Sequence, residues 1–235
     1  LLPLIYFYLS KRIDTKYIKI CCLIFSLIIF QGLVGWYMVK SGLVNNITVS
    51  HYRLSIHLST AIIIISSIFW LLKNFVSKEN KIFFSLSKHN LPFLILIFLI
   101  FFQIIFGAFV SGLDAGKIYQ TWPLMGESFF PNDIVTINIV NLFEFDNHSL
   151  VQFYHRNLAY IIVLYVLYLA IIIYKTKIVL LYKSINVLIF FLFLQALLGV
   201  FTLISNLNIY LASAHQITSV LLILSALNLY YLRVK

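Results

Sequence analysis

Long apolar runs alternate with short polar connections along the whole chain. At ~1.5 Å rise per residue, about 20 apolar residues in a helix cross a hydrocarbon core of ~30 Å. Residues 1–9 form a shorter run, which we interpret as the end of a helix that begins upstream. The pattern predicts an all-α polytopic membrane protein with an N-terminal helix fragment and about six full transmembrane helices, over residues 20–39, 52–72, 91–113, 151–174, 186–204 and 210–232.

Composition and charge also indicate the class of protein and its orientation in the membrane. Hydrophobic residues make up 62% of the chain and charged residues 10%, with a mean hydropathy of +1.01. This balance excludes a soluble globular domain. The net charge of +10 comes from Lys and Arg concentrated in alternate connections, so it indicates membrane orientation rather than nucleic-acid binding. The basic segments 10–19, 73–90 and 175–183 and the C-terminus are therefore predicted on the cytoplasmic or matrix side.

Three predicted helices carry a histidine near the same end: His57, His155 and His215. The charge pattern places all three in the outer leaflet, about one to two turns from the outer surface. A ring nitrogen at that depth has no water to bind, and intramembrane histidines usually face a bundle interior and serve a function. Histidines at matched depth therefore indicate internal sites.

A repeated Q-x-x-x-G pattern precedes each of these histidines, at Gln31–Gly35, Gln103–Gly107 and Gln195–Gly199. Residues four apart share a helix face, where Gly permits close approach and Gln can hydrogen-bond to a neighbouring helix. The repetition predicts two similar four-helix halves: an incomplete N-terminal half at 1–76, a cytoplasmic or matrix loop at 77–90 and a complete C-terminal half at 91–235. By the same symmetry, a histidine that matches His155 is expected upstream of Leu1.

Several kinds of chemistry suit histidines inside a helical bundle. Bis-histidine ligation of haem needs two of them on facing helices, which His155 and His215 supply. Zinc would need further Cys, Asp or Glu ligands, and a proton relay would need intramembrane acids; the predicted helices offer neither. Packing histidines stay open for any single position. Arg53 and Arg156 lie nearer the interface, where they could bind haem propionates or extend to lipid head groups.

The remaining polar and aromatic residues carry weaker signals. His51, His89 and His148 fall in loops or at helix ends and are predicted to be solvated. The three tryptophans fit an interfacial aromatic belt. The longest connection, 114–150, holds most of the acidic residues, and connections of that length in compact proteins are more often functional than idle.

Several segments of the chain resemble the haem A synthase family of bacteria and mitochondria. The similar stretches are QGLVGWYMVKSGL, VSHYRLSIHL, GAFVSGLDAGKIYQTWPLM, VQFYHRNLAY, LQALLGVFTLIS and LASAHQ, and the resemblance covers nearly the whole chain. The segment GLDAG…TWPLM in the long outer connection is the most specific of them. Members of that family have eight helices in two four-helix halves, each with a pair of haem-ligating histidines.

The resemblance implies an enzyme and assigns roles to residues. The implied activity is an oxidoreductase that converts a methyl group of haem O into the formyl group of haem A. It proceeds by successive hydroxylations with oxygen from water, as the last step of haem A biosynthesis for cytochrome oxidase. His155 and His215 would ligate a haem b cofactor, and His57 would ligate the haem O substrate. The partner of His57 and a catalytic glutamate are expected upstream of Leu1, so the catalytic residue of this chain is unknown.

The resemblance also implies partners and a location, and the charge pattern gives the orientation. The expected partners are haem O, haem O synthase, an unidentified electron acceptor and the lipid bilayer, with no nucleic acid; a homo-oligomer is left open. The expected location is a bacterial cytoplasmic (inner) or mitochondrial inner membrane, with the histidines towards the outer side and the C-terminus inside. The alternatives are a bis-histidine cytochrome b-like electron carrier and an inactive, truncated assembly remnant. We expect the chain alone to bind at most one haem well and to make no haem A.

Overall fold

The computed structural model describes residues 2–41, 49–134 and 143–234. Within these ranges lie a 3-10 helix at Ala115–Lys117 and the α-helices α1 (Leu2–Leu9), α2 (Thr15–Ser41), α3 (His51–Ser77), α4 (Leu91–Gly112), α5 (His148–Lys175), α6 (Val179–Ile204) and α7 (Ile209–Arg233). Helices α2 to α7 are each long and apolar enough to cross a membrane. The predicted all-α polytopic membrane fold and its six spanning helices are confirmed.

Three helices begin at least three residues earlier than the hydrophobic pattern predicts, and the first is α2, which begins at Thr15 instead of residue 20. Helix α5 begins at His148 instead of residue 151, because the Asn147 side chain caps it by accepting a hydrogen bond from the Leu150 amide at 3.1 Å. Helix α6 begins at Val179 instead of residue 186, so much of the predicted basic turn 175–183 is helical. Lysine is a good helix former whose long stem lets the ammonium group extend to the interface, so charge alone does not end a helix.

Helix α4 lies at the centre of the bundle, where it packs against α3, α5 and α7. Its apolar side chains join one core cluster to which α3, α5, α6 and α7 also contribute, with Leu96 and Ile100 almost fully buried. Apolar burial cannot drive association in lipid as it does in water, so the close fit of these side chains holds the helices together. The predicted division into residues 1–76, 77–90 and 91–235 stays a prediction.

Helices α5 and α7 occupy diagonal positions in the arrangement of α4 to α7. Each packs against both α4 and α6, and in the described part of the chain the two do not pack closely on each other. Side chains that point inward from α5 and α7 therefore face each other across the bundle centre, which is where helical bundles build ligand sites.

An aromatic cluster joins α3 to α7 at the end of the bundle opposite the histidines. Trp70 is buried there, against the rings of Tyr230 and Tyr231, and its Nε1 donates to the Lys81 carbonyl at 3.0 Å. The indole of this tryptophan thus faces the protein, where its N–H finds a main-chain acceptor, and its predicted interfacial position stays a prediction. Tyr231 lies under two ammonium groups, with Lys73 Nζ at 5.1 Å and Lys81 Nζ at 4.7 Å from its ring centroid.

Replacing Tyr231 with alanine is expected to destabilise the contact between α3 and α7. The change removes a buried ring and both cation–π contacts, and we expect a loss on the order of 3 kcal/mol. Tyr210→Ala is the matched control, since Tyr210 is 82% exposed on the same helix. Thermal unfolding in detergent measures both variants, and equal melting temperatures would contradict the role given to Tyr231.

Candidate functional site at the histidine end of the bundle

Each glutamine of the repeated pattern contacts the histidine on the next helix. In chain order, the Gln Nε2 atom lies 3.3, 3.1 and 3.4 Å from a ring nitrogen of its histidine in the pairs Gln31–His57, Gln103–His155 and Gln195–His215. In the first two pairs the same Nε2 also donates to the main-chain carbonyl of the histidine, at 3.0 and 2.9 Å. The pattern thus places an amide beside each intramembrane imidazole, where water is not available to hydrogen-bond the ring.

The glycine of each pattern makes room for the same imidazole. An added Cβ would lie 3.0, 3.2 and 2.9 Å from Cε1 of the facing histidine at Gly35, Gly107 and Gly199, respectively. These distances are shorter than ordinary carbon contacts, which lie at about 3.5–4.0 Å. Gln and Gly therefore act together: one holds the ring and the other leaves space for it. The sequence predicted close approach and interhelical hydrogen bonds at these positions, and the structure identifies the histidines as the partners.

The structure brings His155 and His215 together across the bundle centre. Their ring centroids are 6.5 Å apart and the ring planes are inclined by 81°. Both side chains are only partly accessible. His57 lies on α3, and in the described ranges no ring contact joins it to another histidine. Of the three intramembrane histidines, His155 and His215 thus lie face to face and His57 lies apart from them.

The geometry of the histidine pair fits a haem iron. Two imidazoles that bind opposite sides of one metal ion at ~2 Å have ring centroids roughly 6 Å apart, close to the spacing seen here. In the described part of the chain, no cluster of three or more His, Cys, Asp or Glu side chains could hold a metal ion. A metal between His155 and His215 would therefore take its other ligands from a non-protein group, as the iron of haem does.

His215 also has a hydrogen bond that selects its tautomer. Its Nδ1 lies 3.0 Å from the main-chain carbonyl oxygen of Gln195, which can only accept, so Nδ1 carries the proton. The lone pair of the neutral ring is then on Nε2, the nitrogen turned to a metal in such sites. The Gln195 Oε1 in turn accepts a hydrogen bond from Thr218.

Arg156, next to His155, binds the loop that follows α4. Its guanidinium donates to the main-chain carbonyls of Tyr119 at 2.9 Å, Thr121 at 2.9 Å and Leu124 at 3.2 Å. Arg53 donates to the Tyr37 carbonyl at 2.9 Å and stacks 3.8 Å above the Tyr37 ring. Both arginines already have protein partners, and a role in binding haem propionates stays a prediction.

The loop over residues 113–134 crosses the histidine end of α5, α6 and α7. Gln152 on α5 donates to the Tyr119 carbonyl at 2.8 Å, and Gln120 donates to Asn206 in the turn between α6 and α7 at 2.7 Å. Gly116 lies against the Leu207 side chain, where a Cβ would come within 2.8 Å of it. The loop contains the segment GLDAG…TWPLM, and these contacts place it over the bundle that holds His155 and His215. Residues 135–142 of the predicted connection lie outside the described ranges.

Asp133 fastens the end of this loop to α5. Its carboxylate accepts hydrogen bonds from Tyr119 Oη at 2.6 Å and Ser149 Oγ at 2.7 Å. Partial burial raises the pKa of Asp133, but the hydrogen bonds from Tyr119 and Ser149 outweigh it, so the pKa lies below its usual value. The ionised form is thus the one that holds the loop.

One solvation prediction is wrong and two are confirmed. His51, the first residue of α3, is only 7% exposed, with its Nε2 at 3.4 Å from Asp146 Oδ1 and its ring against Tyr52 and Phe109. The close approach of α4, whose Gly112 has no side chain, buries it. His89 and His148 are exposed, as predicted. No sequence signal marked Asp146 as the partner of His51, because the two residues are far apart along the chain.

The spanning helices and the histidine pair across the bundle core place this chain among the polytopic membrane proteins that have internal histidine sites. Residues 1–227 match the COX15-CtaA family, described as cytochrome oxidase assembly protein. The chain belongs to this family.

Individual relatives are similar over most of this chain. It is 41% identical to a haem A synthase of Pelagibacter ubique over 96% of its own length and 66% of the relative's. It is 40% identical to a haem A synthase of Flavobacterium johnsoniae (94% and 65%) and 40% identical to one from the Wolbachia of Brugia malayi (97% and 66%). The chain therefore spans about two thirds of the length of these relatives.

Two glycines on α2 allow a test of the space left for the imidazole. An added Cβ at Gly32 meets nothing within 4 Å, whereas one at Gly35 meets His57 at 3.0 Å. Gly32→Ala is expected to raise the free energy of unfolding by up to about 1 kcal/mol through helix propensity. In Gly35→Ala, we expect the close contact between the new Cβ and the His57 ring to cancel this stabilisation. Equal stabilisation of the two variants in thermal unfolding would contradict the close Gly35–His57 packing.

The Asp133 contacts predict how pH affects the loop. Since its pKa is lowered in the folded state, the stabilising contribution is complete above the ordinary carboxyl pKa of ~3.9 and is lost as the pH falls through the folded value. We expect Asp133→Asn to speed amide hydrogen exchange over residues 115–134 at neutral pH, and the wild type to show the same change only below about pH 4. Glu127→Gln, at an exposed loop position, is the control. Unchanged exchange in Asp133→Asn would exclude this anchor.

Proposed function

We propose that this chain carries the haem A synthase function named for its relatives. In this proposal the substrate is haem O, and one methyl group becomes the formyl group of haem A through successive hydroxylations. In the net reaction the methyl group and one water molecule become the formyl group and release four protons and four electrons, and the electrons pass to an electron acceptor outside this chain. The location consistent with the proposal is a bacterial cytoplasmic (inner) or mitochondrial inner membrane.

The observation that carries the proposal is the placement of His155 and His215 on diagonal helices, 6.5 Å apart between ring centroids. In our assignment they hold a haem b cofactor, whose iron supplies a one-electron redox centre. Gly107 and Gly199 leave space for the two rings, and Gln103 and Gln195 hydrogen-bond them. The protein thus supplies ligands, orientation and a dry environment.

His57 is assigned to the substrate haem. Its setting repeats that of the other two histidines, with Gln31 at 3.3 Å and Gly35 at the ring. His57 Nδ1 and Gln31 Oε1 are both buried and without a hydrogen-bond partner in the described part of the chain. Buried polar atoms without partners are costly, so a site that completes its bonding only with a bound group accounts for them. Haem O synthase is the proposed source of the substrate.

A second function is favoured by the same histidine pair. Bis-histidine haem serves electron carriers as well as enzymes, so a cytochrome b-like carrier would use the same two ligands. The 113–134 loop favours the enzyme, because it covers the histidine end and is fastened to α5 beside His155. An electron carrier has no evident need for such a cover.

Histidine variants test the haem b assignment. We expect His155→Ala and His215→Ala each to abolish the low-spin haem b spectrum of the detergent-purified chain, because each removes one of the two side chains that would hold the haem. His57→Ala is expected to keep that spectrum, and His89→Ala, at an exposed position, is the control. A reduced-minus-oxidised haemochrome spectrum gives the readout. Full haem b content in either of the first two variants would refute the assignment.

Pigment analysis separates the two functions. The chain is co-expressed with a source of haem O, and extracted haems are resolved by chromatography. The proposal predicts haem A that disappears in His57→Ala, and this result would overturn the expectation from the sequence that the chain alone makes none. Full haem b loading without haem A would favour the electron carrier or the inactive remnant.

A further inference from the structure

A groove between α2 and α3 lies at the end of the bundle opposite the histidines. Its volume is about 430 Å³, within the range of ~300–1,000 Å³ that is typical of small-molecule sites. We propose that this groove binds one anionic phospholipid, with the lipid phosphate at Arg12 and an acyl chain between the two helices. The lipid would come from the leaflet on the side where the basic segment 10–19 is predicted, which is cytoplasmic or matrix.

The walls of the groove suit an acyl chain. On α3, Leu72 and Phe75 line it and are 55% and 67% exposed although both are apolar. Lipid tails are as apolar as leucine, so they cover such side chains where water would not. The α3 wall extends from Ile68 to Phe75, or ~10 Å at 1.5 Å per residue, which accommodates the first part of an acyl chain. The apolar lining as a whole is Ile13, Cys21, Ile68, Leu71, Leu72 and Phe75.

Arg12 supplies a cation that the protein leaves without a partner. It lies in the connection between α1 and α2 and lines the groove. Arg53 and Arg156 donate to main-chain carbonyls, whereas the Arg12 guanidinium has no hydrogen bond, ion pair or ring contact with any described residue. A planar guanidinium matches the geometry of phosphate oxygens. Arg12 is therefore free to bind a phosphate at the polar end of the groove.

The charge around the groove favours an anionic lipid over a zwitterionic one. Segment 11–19 contains four cationic residues and one acidic residue, Asp14. Asp14 also lines the groove, but in the described ranges no ion pair joins it to Arg12, so it does not neutralise the guanidinium. Lys16 Nζ donates to Asn80 Oδ1 at 2.8 Å, which holds a second cation beside the end of α3. Basic pockets between transmembrane helices on this side of a membrane bind anionic head groups.

The groove lies between the two helices that bring Gln31 to His57. Helix α2 packs on α3 and only slightly on α1. Near the groove, the rings of Tyr17 on α2 and Phe75 on α3 meet edge to face, with centroids 6.2 Å apart. A lipid held against both helices would therefore reinforce the contact on which the setting of His57 depends.

Lipid titration of the detergent-purified chain tests the charge requirement. Native mass spectrometry counts bound phosphatidylglycerol or phosphatidylcholine with identical acyl chains. We expect one phosphatidylglycerol to bind more tightly than phosphatidylcholine, and Arg12→Gln to weaken its binding about fivefold, the contribution of one cation near a membrane surface. Lys175→Gln is the control, because it removes the same charge from an exposed end of α5.

Two adjacent cysteines test the place of the acyl chain. Cys21 lines the groove and Cys22 is exposed outside it. Cys21→Phe fills the groove and is expected to lose the tightly bound phosphatidylglycerol. Cys22→Phe adds the same ring beside the groove and is expected to keep it.

Three results would each overturn the proposal. Equal affinity of the wild type for the two lipids would remove the selectivity for anions. Equal weakening in Arg12→Gln and Lys175→Gln would show diffuse attraction to the basic surface. Wild-type binding in Cys21→Phe would place the lipid elsewhere. The measurement does not depend on haem content, so a failure of this proposal and a failure of the haem assignment are recognised separately.

Discussion

The need to satisfy imidazole nitrogens inside a membrane is the constraint on which the histidine end of this protein depends. A ring buried among lipid-facing helices has no water to bind, so each of its nitrogens needs a partner from the protein or from a bound group. The protein meets this need in the same way at all three histidines. The preceding helix places a glutamine beside the imidazole, and a glycine four residues later on that helix leaves space for the ring. The repeated pattern is therefore a structural unit that serves each of the three intramembrane histidines.

The opposite end of the bundle joins helix α3 to helix α7. There the connection between α3 and α4 lies against α7, through the Trp70 indole and the cations around Tyr231. The contact couples the helix of His57 to the helix of His215 far from either ring. Rigid support of this kind holds α3 and α7 at a fixed spacing.

Much of this organisation was predictable from the sequence, and the exceptions have physical causes. Hydrophobic length predicted the six spanning helices, and matched depth predicted the pairing of His155 with His215. The start of α6 at Val179 was missed because lysines at a helix end keep their charge at the interface. The burial of His51 was missed because it depends on the tertiary approach of Gly112 and Asp146. Periodicity within one helix carries no information about such contacts.

The bond between Arg156 and the 113–134 loop has a consequence for how this protein can vary. All three of its acceptors are main-chain carbonyls. The attachment therefore depends on the path of the loop backbone and not on the identity of these side chains. The bonds from Arg156 therefore place no requirement on the side chains of Tyr119, Thr121 and Leu124. A change that bends the backbone would be felt beside His155 even if it kept every neighbouring side chain. The attachment through Arg156 is thus insensitive to side-chain replacements at its three acceptor positions and sensitive to a change in the path of the backbone.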